Sequence, residues 1–245
     1  GRERPGIGGA GGRVMRGRAL RLARLGWAAL GIPLLLTAAP EPSPAPTLTA
    51  EARRAAERGA AAFARGDFKS ARSAFAEMLE RMPGHPAALV NLATAEFRLG
   101  NGTQAAGMLE EAIRKDPDAA APWLTLGIVR LSLENLDGAQ AALSQAAYLD
   151  PASGRAQAYL GVTFGRKGWN DAAEAAFRRS LELEPDSADT HFNLALSYLK
   201  REPPAVELAR RHYHRARDLG AKPDPLVENR LDPEPRAAAS PSPVA

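Results

Sequence analysis

The sequence contains no cysteine, and this absence excludes several kinds of chemistry together. Disulfides, thiolate metal sites, a cysteine nucleophile and lipid attachment to cysteine all require that residue. Aromatic residues make up 6% of the 245 residues, which argues against a surface that stacks single-stranded bases. The longest apolar run extends only from Leu25 to Ala39. It is shorter than the roughly 20 residues that a membrane-spanning helix needs.

Positive charge is concentrated at the start of the chain. The formal net charge is +4, which taken alone would suggest an acidic partner such as nucleic acid. Residues 1–24 hold seven arginines and one glutamate, so the remaining residues carry 25 basic and 27 acidic side chains, a net −2. The basic balance is therefore a property of the first residues, and we expect no nucleic-acid partner.

The segment 1–39 has the layout of a secretory signal peptide. Arginines between Arg16 and Arg24 precede the apolar run, which ends in small residues. Pro40 follows the best small-residue cleavage site and disfavours cleavage there, so an uncleaved membrane anchor is the alternative. We expect an exported protein of the periplasm or the extracellular space, with inner-membrane anchoring as the alternative.

Composition divides the chain into four segments. Prolines alternate with small residues just after the apolar run and become frequent again near the carboxyl end, where they indicate extended spacers. A short helix is predicted around Leu226 to Leu231. The predicted segments are a leader, 1–39, of which 1–14 is expected to be disordered or untranslated; a Pro-rich linker, 40–49; a repeat region, 50–222; and a Pro-rich tail, 223–245.

The middle of the chain is an internal repeat. Four prolines are evenly spaced with a period of 34, at Pro83, Pro117, Pro151 and Pro185. Small and large residues recur in the same register: Gly59, Ala93, Gly127, Gly161 and Ala195; Ala71, Ala105, Ala139 and Ala173; Phe75, Leu109, Leu143 and Phe177. Within each repeat the apolar positions form two helical stripes, which predicts a helical hairpin. Small residues at Gly127 and Ala139 let the two helices approach, and enlarging either should cost about 1–3 kcal/mol.

Turn residues fit the same division. Glycines are expected to end the first helix of a unit, at Gly66, Gly100 and Gly168. Polar side chains that accept free amide protons are expected to cap the second helix, at Asp67, Thr103, Asp137 and Asn170.

The pattern resembles the tetratricopeptide repeat (TPR) family, whose unit is a 34-residue helix-turn-helix. In residues 120–153 the family signature is carried by Trp123, Leu126, Gly127, Ala139, Leu143, Ala146 and Pro151. The resemblance implies an all-α, right-handed α-solenoid of about five repeats, at 52–85, 86–119, 120–153, 154–187 and 188–222. The first repeat departs from the signature at Arg58. The fifth has Pro203-Pro204 in its turn, and its later markers are displaced by two residues onto Ala209, Tyr213 and Ala216.

No catalytic or metal-binding constellation emerges from the sequence. His85 lies in a turn, His191 occupies the position of Trp123 in its own repeat, and His212 and His214 are two residues apart on one helix. Residues two apart on a helix point to different faces, so we expect no metal site there. The sequence predicts a protein without a cofactor that is not an enzyme.

The resemblance implies that the concave face of the stack, lined by the first helices, binds a peptide or helix of another protein. The expected groove residues are Asn91, Phe97, Arg98, Leu124, Ile128, Tyr159, Arg166, Phe192, Asn193 and Lys200. The two asparagines can fix a ligand backbone, and the apolar residues can anchor side chains. We therefore expect a scaffold or adaptor of the cell envelope. The alternative is a structural protein that self-associates through its terminal repeats.

Overall fold

The computed structural model describes residues 49–232. The predicted leader, almost all of the Pro-rich linker, and residues 233–245 of the predicted tail lie outside the described residues. None of the described helices is long and apolar enough to cross a membrane. The helices are α1 Ala50–Ala64, α2 Phe68–Arg81, α3 Pro86–Arg98, α4 Gly102–Lys115, α5 Ala120–Ser132, α6 Leu136–Leu149, α7 Gly154–Arg166, α8 Asn170–Leu183, α9 Ala188–Leu199, α10 Val206–Asp218 and α11 Pro225–Leu231.

Consecutive helices pack in pairs. Helix α1 packs on α2, α3 on α4, α5 on α6, α7 on α8, and α9 on α10, and the second helix of each pair packs on the first helix of the next. Residues 49–232 contain no strand. The predicted fold class, an all-α solenoid of five helix-turn-helix units, is therefore confirmed.

The helices of a hairpin approach closely where a small residue faces a large one. A Cβ atom added to Gly127 would lie 2.4 Å from Cγ of Leu143, and one added to Gly161 would lie 2.6 Å from the Phe177 ring. Neither distance is compatible with an ordinary contact. The predicted pairing of small and large positions thus fixes the distance between the two helices of the third and the fourth unit.

A residue with positive φ ends the first helix in four of the units. Gly66, Gly100 and Gly168 have φ values of 77°, 91° and 80°. In the third unit the same position is held by Glu134, with φ 60°. Glycine adopts this backbone conformation without steric cost, whereas a residue with a Cβ is strained there. The third unit therefore makes the same turn with a less suitable residue.

The predicted helix caps are only partly correct. The side chain of Asp67 accepts a hydrogen bond from the Ser70 amide, as expected. The residues Thr103, Asp137 and Asn170 lie inside the first turns of their helices, so the prediction was wrong for them. In these three units the N-cap residue directly follows the positive-φ residue, one or two positions earlier than predicted. Asn135 is the N-cap in the third unit, where it accepts from the Gly138 amide.

The last unit ends in a short additional helix. Tyr213 of α10 is buried, and its hydroxyl donates to Glu228 of α11 at 2.8 Å and accepts from the Asp224 amide at 2.8 Å. Val227 and Leu231 of α11 are buried against the same cluster. Helix α11 lies within the segment predicted as a tail, at the place where a short helix was expected, and it covers part of the last hairpin.

Candidate functional site

The first helices of the units form a continuous face. Contacts join α3 to α5, α5 to α7, and α7 to α9. Because the sequence period is 34, Asn91, Tyr159 and Asn193 occupy one register position on three of these helices. We call this surface the first-helix face. In stacks of such repeats it is the concave one.

A cleft of about 360 Å³ lies between α7 and α9 on the first-helix face. Its apolar lining comes from Ala158, Tyr159, Val162 and Phe192, and polar side chains including Arg155, Asp189 and Asn193 surround it. The structure thus brings together three of the residues predicted for the groove, Tyr159, Phe192 and Asn193. An apolar floor with a few polar groups around it is the usual composition of a site that binds a side chain.

The aromatic side chains of the cleft pack against the core on one side and are exposed to solvent on the other. Tyr159 and Phe192 are each partly buried. Tyr159 packs against a core cluster that includes Leu160, and the Phe192 ring lies 6.1 Å from the Tyr213 ring. This packing restricts their rotamers while leaving apolar surface accessible. Such surface is suited to contact a partner, because less side-chain entropy is lost on binding.

The polar groups of the cleft have unused hydrogen-bonding capacity. Across residues 49–232, the Tyr159 hydroxyl and the Asn193 side-chain amide make no hydrogen bond to another protein group. The backbone oxygens of these two residues accept side-chain hydrogen bonds from Thr163 and Ser197. A hydroxyl and a carboxamide together offer both donors and acceptors to a ligand backbone.

The remaining apolar and amide residues predicted for the groove lie outside this cleft. Phe97 packs against the cluster that contains Leu109 and Val129. Leu124 packs against the cluster that joins the third and fourth units. Asn91 and Ile128 are partly buried on α3 and α5. Phe97 and Leu124 therefore contribute to packing between helices.

Two of the three predicted groove cations are engaged by the fold. The guanidinium of Arg98 lies over the Phe68 ring, 4.2 Å from its centroid. Arg166 donates to the Leu131 carbonyl at the end of α5, at 3.0 Å, and pairs with Glu134. Lys200 is exposed at the C-cap of α9. Arg98 and Arg166 stabilise helix ends and aromatic contacts, as cations do at such places.

Some residues of the site were not predicted from the sequence. Arg155 and Asp189 lie beside the cleft because they occupy the first turns of α7 and α9. They could have been predicted from the sequence, because each lies one helical turn before a predicted groove residue, Tyr159 or Asn193. The contact of His191 with His212, between α9 and α10, had no such signal because the two residues are 21 positions apart.

The histidines on α10 differ in their exposure. Residues 49–232 contain no group of three or more histidine, aspartate or glutamate side chains able to hold a metal ion. His214 is exposed on α10, whereas His212 is partly buried, so the two side chains lie on different faces as the sequence predicted.

Comparison with known families identifies the repeat. Models described as tetratricopeptide repeat match residues 62–110, 98–161 and 163–224. The chain belongs to the TPR family. No curated protein matches the chain.

Solved TPR structures share the fold. PilF of Pseudomonas aeruginosa is 20% identical with a TM-score of 0.68, over 74% of this chain and 82% of PilF. A thermophilic TPR protein of Thermus thermophilus is 22% identical with a TM-score of 0.62, over 74% of this chain and 96% of that one. MamA from Desulfovibrio magneticus RS-1 is 18% identical with a TM-score of 0.59, over 71% of this chain and 97% of MamA. At these identities the similarity is one of fold.

The TPR fold is typically a non-catalytic scaffold for protein interaction, and this chain has the architecture of a protein-interaction scaffold. Its successive first helices build a long surface from short local contacts. The side chains that are specific to this TPR chain, and not shared by the repeat, therefore determine what the surface recognises.

Proposed function

We propose that the chain binds a peptide or helical segment of another protein on the first-helix face, with the α7–α9 cleft as the principal contact. The observation that carries this proposal is the combination of an apolar floor, formed by Tyr159 and Phe192, with the unused polar groups of Tyr159 and Asn193. A side chain of the ligand would enter the cleft, and its backbone would bond to Asn193. Interfaces of this kind depend on a few aromatic anchors.

A phage-displayed library of random dodecapeptides, selected on the immobilised full chain, tests the proposal. Peptides enriched on the wild-type chain should lose about tenfold in affinity or more with Tyr159→Ala and with Asn193→Ala. Tyr159→Phe removes only the hydroxyl group and preserves packing, so it should give a smaller loss. The matched control is Tyr148→Ala on α6, whose side chain is 77% exposed and lies outside the cleft.

The proposal fails if no peptide is enriched, or if all the enriched peptides bind the Tyr159 and Asn193 variants as tightly as the wild type. A loss of binding with Tyr148→Ala of the same size would show a general surface effect and would also contradict it. Circular dichroism of each variant separates lost contacts from lost structure.

A second candidate is self-association through a terminal repeat. Leu226 on α11 is 79% exposed, more than any other large apolar side chain within residues 49–232. Exposed apolar surface at the end of a repeat stack favours association with a second copy. Light scattering of the full chain should then show a concentration-dependent dimer that Leu226→Glu abolishes. A monomer at all concentrations would contradict this role.

We also propose that the scaffold acts outside the cytosol, because residues 16–39 have the layout of a signal peptide. Inner-membrane anchoring through the same residues is the alternative. Fractionation of the producing cell with intact-mass measurement distinguishes them: a shortened soluble form supports cleavage, and a full-length membrane-bound form supports anchoring. Full-length protein in the cytosol would overturn both.

A further inference from the structure

His191 repeats a hydrogen bond made two units earlier by a tryptophan. The indole nitrogen Nε1 of Trp123 donates to the Pro117 carbonyl at 2.9 Å. His191 lies two periods later in the same register, and its Nε2 is 3.0 Å from the Pro185 carbonyl. A carbonyl only accepts, so Nε2 of His191 carries the hydrogen. In neutral His191 the other nitrogen, Nδ1, is therefore an acceptor.

That acceptor faces a second imidazole. Nδ1 of His191 and Nδ1 of His212 are 2.9 Å apart, and the two rings are stacked with centroids separated by 5.1 Å. One hydrogen fits between the two nitrogens, and His212 supplies it when His191 is neutral. If both rings were protonated, two N–H groups would point at each other. The pair therefore holds together with at most one positive charge.

The surroundings of the pair disfavour additional positive charge. On α8, Arg178 donates to the Tyr198 hydroxyl at 3.3 Å and pairs with the buried carboxylate of Glu174. On α9, the Tyr198 ring stacks on His212 at 5.6 Å. Arg211 on α10 is a further positive charge that acts on His212, and Arg215 on the same helix is paired with Asp186 in the loop before α9. No carboxylate among the described residues hydrogen-bonds to either imidazole.

Burial lowers the pKa of His212 below its ordinary value of 6.5, and the positive charges of His191, Arg211 and Arg178 act in the same direction. The unfolded chain therefore binds a proton at a higher pH than the folded chain does. The stability that neutral His212 contributes is fully present above pH 6.5. It is lost as the pH falls from there toward the pKa of folded His212. Acidification thus acts against the contact between α9 and α10.

We propose that the His191–His212 pair is an acid-sensitive latch that joins α9 to α10 when it carries at most one positive charge and releases them when both rings are protonated. The neighbouring positions on the same helices are Phe192 and Tyr213, whose ring centroids are 6.1 Å apart. Release of the latch would loosen Phe192, which lines the α7–α9 cleft. That consequence rests on the proposed function of the cleft, whereas release itself is measured without any ligand.

Hydrogen exchange of the full chain, followed by mass spectrometry at pH 7.5 and pH 5.0, tests the latch. After correction for the intrinsic pH dependence of exchange, protection of peptides from α10 should fall about tenfold more than that of peptides from α6. His212→Gln keeps a donor near Nδ1 of His191 and should remove most of this extra loss. The matched control is His214→Gln, an exposed histidine on the same helix, which should leave the loss unchanged.

A second variant keeps the test decisive if His212→Gln does not fold. His191→Trp places an indole N–H toward the Pro185 carbonyl, as Trp123 does toward Pro117, and removes one of the two imidazole rings. It should also make α10 protection insensitive to pH in this range. The proposal is overturned if wild-type α10 loses no more protection than α6 between the two pH values. It is also overturned if His212→Gln or His191→Trp folds and still shows the extra loss of α10 protection at pH 5.0.

Discussion

Two of the four junctions between units, the second and the fourth, use one pair of register positions in different ways. Between the second and third units the pair of positions is Ala106 and Leu133. Two units later the same pair is Glu174 and Arg201, joined by hydrogen bonds of 2.8 and 2.6 Å. The same backbone arrangement therefore accepts apolar residues at the second junction and an ion pair at the fourth.

The polar junction is supported on several sides. Glu174 is 4% exposed and also pairs with Arg178, one turn later on α8. Arg178 and Arg201 both lie over the Tyr198 ring, at 5.8 and 5.1 Å from its centroid. A buried carboxylate requires such partners, since an isolated one is strongly disfavoured. Apolar junctions tolerate small changes in packing, whereas this one depends on particular charges.

The largest effect is expected from removing that carboxylate. Glu174→Ala should lower the free energy of unfolding by about 2–3 kcal/mol, because two guanidiniums lose their shared partner. The half-exposed arginines remain able to reach water, which limits the loss. Urea denaturation measures it. At the equivalent position one unit earlier, Gln140 bonds to Lys167, and Gln140→Ala should cost less than about 1 kcal/mol. Equal losses at the two positions would contradict the distinction.

A loss of about 1–3 kcal/mol is expected where the two helices of the third unit approach closely. In Gly127→Ala the new methyl group would overlap the Leu143 side chain and lie 3.2 Å from its backbone nitrogen. The control is Gly107→Ala on α4, where a Cβ would meet nothing within 4 Å. That change should stabilise by about 0.5–1 kcal/mol because alanine favours helix. Thermal unfolding of both variants tests the opposite signs.

The smallest effect is expected at the turns. Glu134→Gly should stabilise the protein by up to about 1 kcal/mol, because glycine adopts the positive φ without strain. The gain is limited because the exposed ion pair with Arg166 is lost. Gly168→Ala makes the reverse change in the next unit and should destabilise by about 1 kcal/mol. Changes of the same sign in the two variants, measured by urea denaturation, would disprove this account of the turns.

Local periodicity explains what could be predicted of the fold and the candidate site. Tyr159 and Asn193 were placed on one face because they share a register position, and residues three and four apart on a helix face the same way. The small positions at Gly127 and Gly161 were found for the same reason. Whether Tyr159 and Asn193 contact a ligand stays a prediction. The caps at Thr103 and Asp137 were placed wrongly because boundaries depend on single backbone angles.

The sequence by itself determined the repeat, its five hairpins and the face on which the cleft lies, because these follow from spacing along one chain. The tertiary structure decided which side chains meet across units. In the packed structure Arg166 donates a hydrogen bond to the Leu131 carbonyl, and His191 contacts His212. Such contacts depend on the angle between helices and on the two-residue displacement in the last unit, so they become visible once the helices are packed.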